Sequence, residues 1–173
     1  MLSGIADLHG ETVLDVGCGQ GDYASYLLEN GIIPRRFVGI DLSDRMIEIA
    51  SARDFKPIDT EFYCSSFHDF KPGLGEYDYV FASGIFYRVD LEPYEFLERT
   101  VELFYRSAGA GTAFNTLFNW GGQGDSTPEG GEFLAQPERL LDIVRRITSR
   151  FVLRCDYHPR DLTFYLYKQE EQP

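Results

Sequence analysis

The stretch "TVLDVGCGQGDYASYLLENG", Thr12 to Gly31, constrains this chain more than any other. Apolar residues with strand character, Thr12 to Val16, run into Gly17, Gly19 and Gly21, and a helical segment follows that Gly31 closes. Glycine adopts positive φ without a Cβ penalty and lets a ligand lie close to the backbone. A strand, a glycine turn and a helix in that order therefore frame a site for a nucleotide-like ligand. The spacing narrows the choice. A dinucleotide turn would carry its third glycine at position 22, where this chain has Asp22, and a phosphate loop needs a Gly-Lys-Ser/Thr run that is absent. An acidic residue at the mouth also opposes a pyrophosphate. The expected ligand lacks phosphates and carries positive charge.

Beyond Gly31 the chain alternates strand and helix. "RFVGIDL" (Arg36 to Leu42) reads as a second strand. "SDRMIEIASAR" reads as a helix with Ser43 at its N-cap and Met46, Ile47, Ile49 and Ala50 on its apolar face. "EFYCSSF" and "YDYVFASG" are the third and fourth strands, "EPYEFLERTVELFYRSA" a helix, and "GTAFNTLF" a fifth strand. "PERLLDIVRRITSR" is a helix with Pro137 in its first turn, and "FVLRCDY" and "LTFYLYK", joined by "HPRD", predict an antiparallel hairpin. This order predicts an α/β fold: a doubly wound, mostly parallel sheet of the seven-stranded type in a three-layer α/β/α sandwich. The expectation is a single domain over residues 1–173, a length that buries roughly 70% of the unfolded chain's surface. Ligands of such sheets bind at the carboxyl ends of the strands, which gathers Val16, Ile40, Cys64, Ala82 and Thr116 into one neighbourhood. The run "NWGGQGDSTPEGGE" reads as a surface loop, either a lid based on Trp120 or a plain excursion.

Charge selects among partners. With 16 basic and 28 acidic residues the net charge is −12, which repels a phosphate backbone, and no concentrated basic stripe offsets it. A small-molecule partner is expected rather than nucleic acid. No apolar run approaches the roughly 18 residues of a membrane span, and "MLSGIADLHGE" lacks the basic start and apolar stretch of a signal peptide. Cys18, Cys64 and Cys155 show no metal-binding spacing, so neither a metal site nor a disulfide framework is predicted. They read as reduced thiols of a cytoplasmic protein, with Cys64 and Cys155 buried in strands. Oligomeric state is not legible.

"VLDVGCGQGDY" resembles the first motif of the class I S-adenosylmethionine-dependent methyltransferases, including the acidic residue, Asp15, two positions before the first glycine. "FVGIDLSDRMIEIA" is similar to the second motif of that family, with Asp41 at the end of its strand. The cofactor has no phosphate and bears a sulfonium and an ammonium, which suits the turn. The resemblance implies that Gly17, Cys18, Gly19 and Gly21 border the methionine part, that Asp41 accepts from the ribose hydroxyls, and that Leu42 packs on the adenine. The third motif departs from the family: Ser65 and Ser66 stand where a Gly-Asp pair is common. Ser66 and the main chain of Phe67 then meet the adenine, with Asp69 as a competing candidate, or Ser65 and Ser66 simply end a strand. "YDYVFASGIFY" resembles the fourth motif, with Ala82 and Ser83 beside the methionine and Ile85, Phe86 and Tyr87 toward the acceptor; Tyr79, Phe81 and Phe86 read rather as core. "ASGIF", "AFNTL" and "FYLYK" together are similar to small bacterial methyltransferases. Helices that usually precede the first strand in this family are short or missing, since only "SGIADLHG" lies ahead of Thr12; a truncated form or an open acceptor pocket would follow.

The function so implied is methyl transfer to a small-molecule acceptor by in-line displacement, with S-adenosylhomocysteine as the product of the cofactor. Alignment of nucleophile and methyl carries most of such a reaction, so no catalytic triad is required. Acceptor-side candidates are Tyr87, Asn115 and His158, with Asn119 a further polar residue. His158 also reads as an exposed turn residue, and His9 and His68 have no assigned role. Two other readings stay open: a cofactor-binding module without turnover, and an NAD-dependent oxidoreductase, which Asp22 disfavours.

Overall fold

The computed structural model describes residues 2–87, 92–120 and 132–169. Its strands are β1 (Thr12–Val16), β2 (Arg36–Asp41), β3 (Thr60–Cys64), β4 (Tyr77–Ala82), β5 (Ala108–Leu117), β6 (Phe151–Arg154) and β7 (Asp161–Tyr167). The helices are α1 (Asp22–Glu29), α2 (Asp44–Ser51), α3 (Phe67–Phe70), α4 (Pro93–Ser107) and α5 (Pro137–Ile147). One sheet of seven strands forms in the order β3-β2-β1-β4-β5-β7-β6. Strands β1 to β5 pair in parallel, and β7 runs antiparallel to both β5 and β6. This is the predicted doubly wound α/β sandwich with its closing antiparallel hairpin.

The reason lies in side-chain patterning. Interior parallel strands are covered on both faces and so carry near-continuous apolar runs; Val13, Leu14, Phe37, Val38, Val80 and Phe81 are all fully buried. On one face Leu14, Val38, Val80 and Phe114 pack beneath Leu97, Val101 and Phe104 of α4 and Leu140 and Val144 of α5. On the other, Val13, Phe37, Phe81 and Tyr165 pack beneath Ala24 and Leu27 of α1 and beneath Leu2 and Ile5. Leu2 and Ile5 belong to a 3₁₀ turn, Leu2–Ile5, the one helical element that the described residues hold ahead of β1. Ser43 caps α2 as expected, its hydroxyl accepting from the Met46 N–H at 3.4 Å.

Three expectations change. Strand β3 stops at Cys64 because Ser66 turns the chain into α3, its hydroxyl accepting from the Asp69 N–H at 3.1 Å. The hairpin connection is longer than "HPRD", running from 155 to 160, and Arg154 closes on Asp156 at its start with an N···O distance of 2.8 Å. Cys64 and Cys155 are exposed rather than buried as expected, and Cys18 is buried. Strand β3 is a sheet edge, and Cys155 lies past the end of β6, the other edge, so neither is enclosed. Residues 121–131 of the glycine-rich run lie outside the described residues; Trp120 at its base is exposed and meets the Phe118 ring edge-on at 5.5 Å.

Candidate functional site

Glycines 17, 19 and 21 carry φ angles of 75°, 53° and 79°, which swing the chain from the end of β1 into α1. The turn is anchored to the neighbouring strand: Gly17 and Cys18 donate their N–H groups to the Ile40 carbonyl at 2.8 and 3.0 Å. The position of Gly17 admits no side chain, since a Cβ there would stand 2.4 Å from Cγ2 of Ile85. Asp41 braces the turn from β2. Its Oδ2 accepts from the Gly19 N–H at 3.0 Å and its Oδ1 from the Ser43 N–H at 2.9 Å. Each carboxylate oxygen keeps a second lone pair for a ligand hydroxyl.

A cavity of about 470 Å³ opens on one side of Gly17, bounded by Asp41, Leu42, Ser65, Phe67 and Ile85. Leu42 is 77% exposed at the mouth of this cavity, which leaves its apolar side chain open to a flat ligand. A second cavity, of about 440 Å³, opens on the other side of Gly17 and is bounded by Asp15, Cys18, Gly19, Tyr23 and Ser83. Asp15 is 3% exposed, and no hydrogen bond or ion pair among the described residues neutralises it. Burial, with the nearby charge of Asp41, pushes its carboxyl up to about 7. The Tyr23 hydroxyl is also buried there without a hydrogen-bond partner among the described residues. Below about pH 7 a proton offsets the lost hydration of the Asp15 carboxyl, and above it a bound cation would.

A third cavity, of about 310 Å³, is bounded by Gly84, Tyr87, Asn115, Leu117, His158 and Asp161 and shares Asn115 and Asp161 with the second. Asn115 does not point into unpaired space: its Oδ1 accepts from the Gly84 N–H at 2.9 Å and its Nδ2 donates to Asp161 Oδ2 at 3.1 Å. His158 accepts from the Arg160 N–H through Nδ1 at 3.3 Å.

Of the residues singled out in the sequence, Asp15, Gly17, Cys18, Gly19 and Ser83 thus line the second cavity, and Asp41, Leu42, Ser66 and Phe67 the first. Tyr87, Asn115 and His158 line the third. Gly21 sits behind the turn, where a Cβ would come within 2.8 Å of the Phe55 ring, and Ala82 is fully buried; neither borders any of these three cavities. The Ser66 hydroxyl is engaged with Asp69, donating to Oδ2 at 2.5 Å besides accepting from the N–H. Ile85 faces the first cavity rather than the third, and Phe86 is core. The sequence reading missed Tyr23, Asp161 and Thr100, whose hydroxyl is buried at the first cavity without a hydrogen-bond partner among the described residues. Tyr23 and Thr100 look like ordinary helix residues, and Asp161 becomes visible only once β7 is paired with β5.

The geometry suits an extended ligand lying across Gly17, with a diol at Asp41, a flat apolar group at Leu42 and Ile85, and a cation at Asp15. Residues 13–104 match the sequence model of a family described as "Methyltransferase domain". No curated protein matches the chain. Solved structures with the same fold include an S-adenosylmethionine-dependent methyltransferase from Aquifex aeolicus, 19% identical over 95% of this chain and 86% of that one, with a TM-score of 0.65. Another, from Mesorhizobium loti, is 15% identical over 94% and 93% of the two chains, with a TM-score of 0.66. A third is the magnesium protoporphyrin IX methyltransferase of Synechocystis with bound S-adenosylmethionine, 17% identical over 94% of this chain and 72% of that one, with a TM-score of 0.65.

Proposed function

The chain belongs to the methyltransferase-domain family, and from that premise we propose that it binds S-adenosylmethionine across Gly17 and transfers the methyl group to a small-molecule acceptor. The observation that carries this reading is the pair of cavities meeting at Gly17, one with the Asp41 carboxylate and the other with the unneutralised carboxylate of Asp15. The cofactor fits both: its ribose diol matches Asp41, and its cationic end supplies the charge that Asp15 lacks. When bound, the sulfonium provides a methyl group whose displacement leaves a neutral thioether, so the leaving group needs no proton.

The work of the protein is then alignment. Asp41 holds the Gly19 N–H and the start of α2 at 3.0 and 2.9 Å, which couples the shape of the turn to the ribose site. Leu42 and Ile85 take the adenine faces, with Phe67 at its edge. Asp15 and Ser83 hold the methionine end, and Tyr87, Asn115 and His158 face the acceptor. Positioning of this kind supplies on the order of 7–11 kcal/mol toward the barrier.

Calorimetric titration with S-adenosylhomocysteine tests the binding half. We expect saturable binding, and Asp41→Ala to weaken it by about 1.5–3 kcal/mol, the range for hydrogen bonds to a charged group. A folded protein with no affinity at high micromolar ligand rejects the reading. Turnover is tested by release of S-adenosylhomocysteine from S-adenosylmethionine in the presence of acceptor. Cofactor binding without methylation of any acceptor offered supports a binding module instead.

A further inference from the structure

The second and third cavities are divided by Asn115 and Asp161, so these two side chains stand where the methyl group and its acceptor would meet. Their placement follows from topology. Strand β7 is antiparallel to β5, so it begins, rather than ends, at the carboxyl edge of the sheet, and Asp161 is its first residue. Asp161 pairs with Leu117 in the β5 register, and Asn115 lies one pleat further along the same face. The Gly84 N–H fixes the orientation of the Asn115 amide, and the amide in turn donates to Asp161. This chain of contacts ties the Asp161 carboxylate to the ends of β4 and β5.

The charges around the third cavity are unequal. Glu132 is paired with the Arg160 guanidinium at 2.9 Å. No Lys, Arg or His among the described residues forms an ion pair with Asp161. Arg160, although adjacent in sequence, turns to Glu132 instead. The cavity therefore keeps one carboxylate that has hydrogen-bond donors in Asn115 and Tyr157 but no cationic partner among the described residues, located at its boundary with the proposed cofactor site. A neutral or anionic acceptor would leave that charge facing a partly dehydrated space, which is unfavourable; a cationic group offsets it.

We propose that the third cavity takes a small acceptor bearing a basic amine and that the Asp161 carboxylate holds the cationic form of that amine at the boundary with the cofactor. This rests on the cofactor reading above. For transfer, the ammonium first loses a proton to water. The nitrogen lone pair then forms the bond to the methyl carbon, the pair of the breaking S–C bond stays on sulfur as the thioether, and the product is an N-methyl ammonium that Asp161 still pairs. Asp161 is a specificity residue in this scheme, and Asn115 is the positioning residue behind it.

The test is calorimetry on the full chain. The protein is first titrated with S-adenosylhomocysteine, then, saturated with it, with 2-phenylethylamine and butylamine against 2-phenylethanol and butan-1-ol. We expect each amine to bind at least about tenfold more tightly than its alcohol, the low end for a charge-assisted contact. Asp161→Asn, which keeps an oxygen to accept from Asn115, should abolish the preference while leaving S-adenosylhomocysteine affinity and melting temperature unchanged. Equal binding of amine and alcohol by the wild type overturns the proposal, whatever the variant does. So does a preference that survives in Asp161→Asn, or a variant whose only loss is cofactor affinity, since Asp161 would then belong to the cofactor. Failure of the first titration instead removes the cofactor reading, and this one with it.

Discussion

Asp15 is the residue whose environment departs furthest from what its side chain prefers. A carboxyl held up at about 7, against an ordinary value of 3.8, binds its proton in the folded chain over a range where the unfolded chain has lost it. The stability difference has a definite sign: folding is favoured below the unfolded value, and the advantage is lost as pH rises through the folded value. Asp15→Asn removes that loss. Its melting temperature should exceed that of the wild type by an amount that grows from pH 4 to about 7 and is constant above it, measured by thermal denaturation without ligand. The cofactor cation acts in the opposite direction, favouring the charged carboxylate. Affinity for S-adenosylhomocysteine should therefore rise from pH 6 to 8 in the wild type and show a flatter dependence in Asp15→Asn. A wild type with no pH dependence of either quantity would contradict the assignment of Asp15 as the group that compensates the cation.

Elements, rather than residues, decide how the two faces of the sheet are closed. Helices α4 and α5 cover one face with whole turns of Leu, Val and Phe. On the other, over β5 and β7, the 3₁₀ turn Leu2–Ile5 lies close to the strands, and small residues permit it. A Cβ at Gly111 would stand 2.7 Å from the Leu166 carbonyl oxygen of β7 and 3.1 Å from Cδ1 of Ile5. The oxygen is backbone in a paired strand and has nowhere to move. Gly111→Ala should destabilise the protein by about 1–3 kcal/mol, the usual cost of overpacking. Urea denaturation measures it, and because β5 also carries Asn115, cofactor affinity should be recorded in the same variant. The Ser66 cap shows a related limit of sequence reading. A Ser-Ser pair after a strand looks like a strand end or a ligand contact, yet Ser66 opens α3 and engages Asp69, a choice that depends on local capping geometry.

At the scale of the whole molecule, the net charge of −12 acts on association more than on fold. S-adenosylmethionine carries a net positive charge, whereas S-adenosylhomocysteine, having lost the sulfonium, is neutral overall. Raising the salt concentration shortens the range of the attraction to less than the roughly 10 Å that holds at 0.1 M. The association rate of S-adenosylmethionine, followed by stopped-flow protein fluorescence, should fall between low and high salt, and that of S-adenosylhomocysteine should not. Equal salt dependence of the two would mean that the acidic surface does not steer the cofactor. Among the described residues no helix is long and apolar enough to cross a membrane, consistent with the absence of long apolar runs.

The fold was legible because its determinants are local and repeated. Buried strands alternating with helices, and a glycine turn that rejects phosphates, leave few architectures for the chain. The residues that line the first two cavities were legible for the same reason: Asp15, Gly17, Gly19, Asp41 and Leu42 all sit within one strand-turn-helix unit or at the end of the next strand. The third cavity, which we propose takes the acceptor, was not legible, because it is assembled from the ends of β4, β5 and β7, far apart in the chain. Asp161 illustrates the difference. Read along the sequence it is a turn aspartate after "HPR", with nothing to mark it. Only the antiparallel pairing of β7 with β5 delivers it to the carboxyl edge, within 3.1 Å of the Asn115 amide. By itself, the sequence determined the layered α/β fold and the kind of cofactor, through hydrophobic period and backbone freedom. The tertiary structure alone decided which charge at the third cavity keeps no ionic partner, because that depends on which distant side chains neutralise one another and which do not.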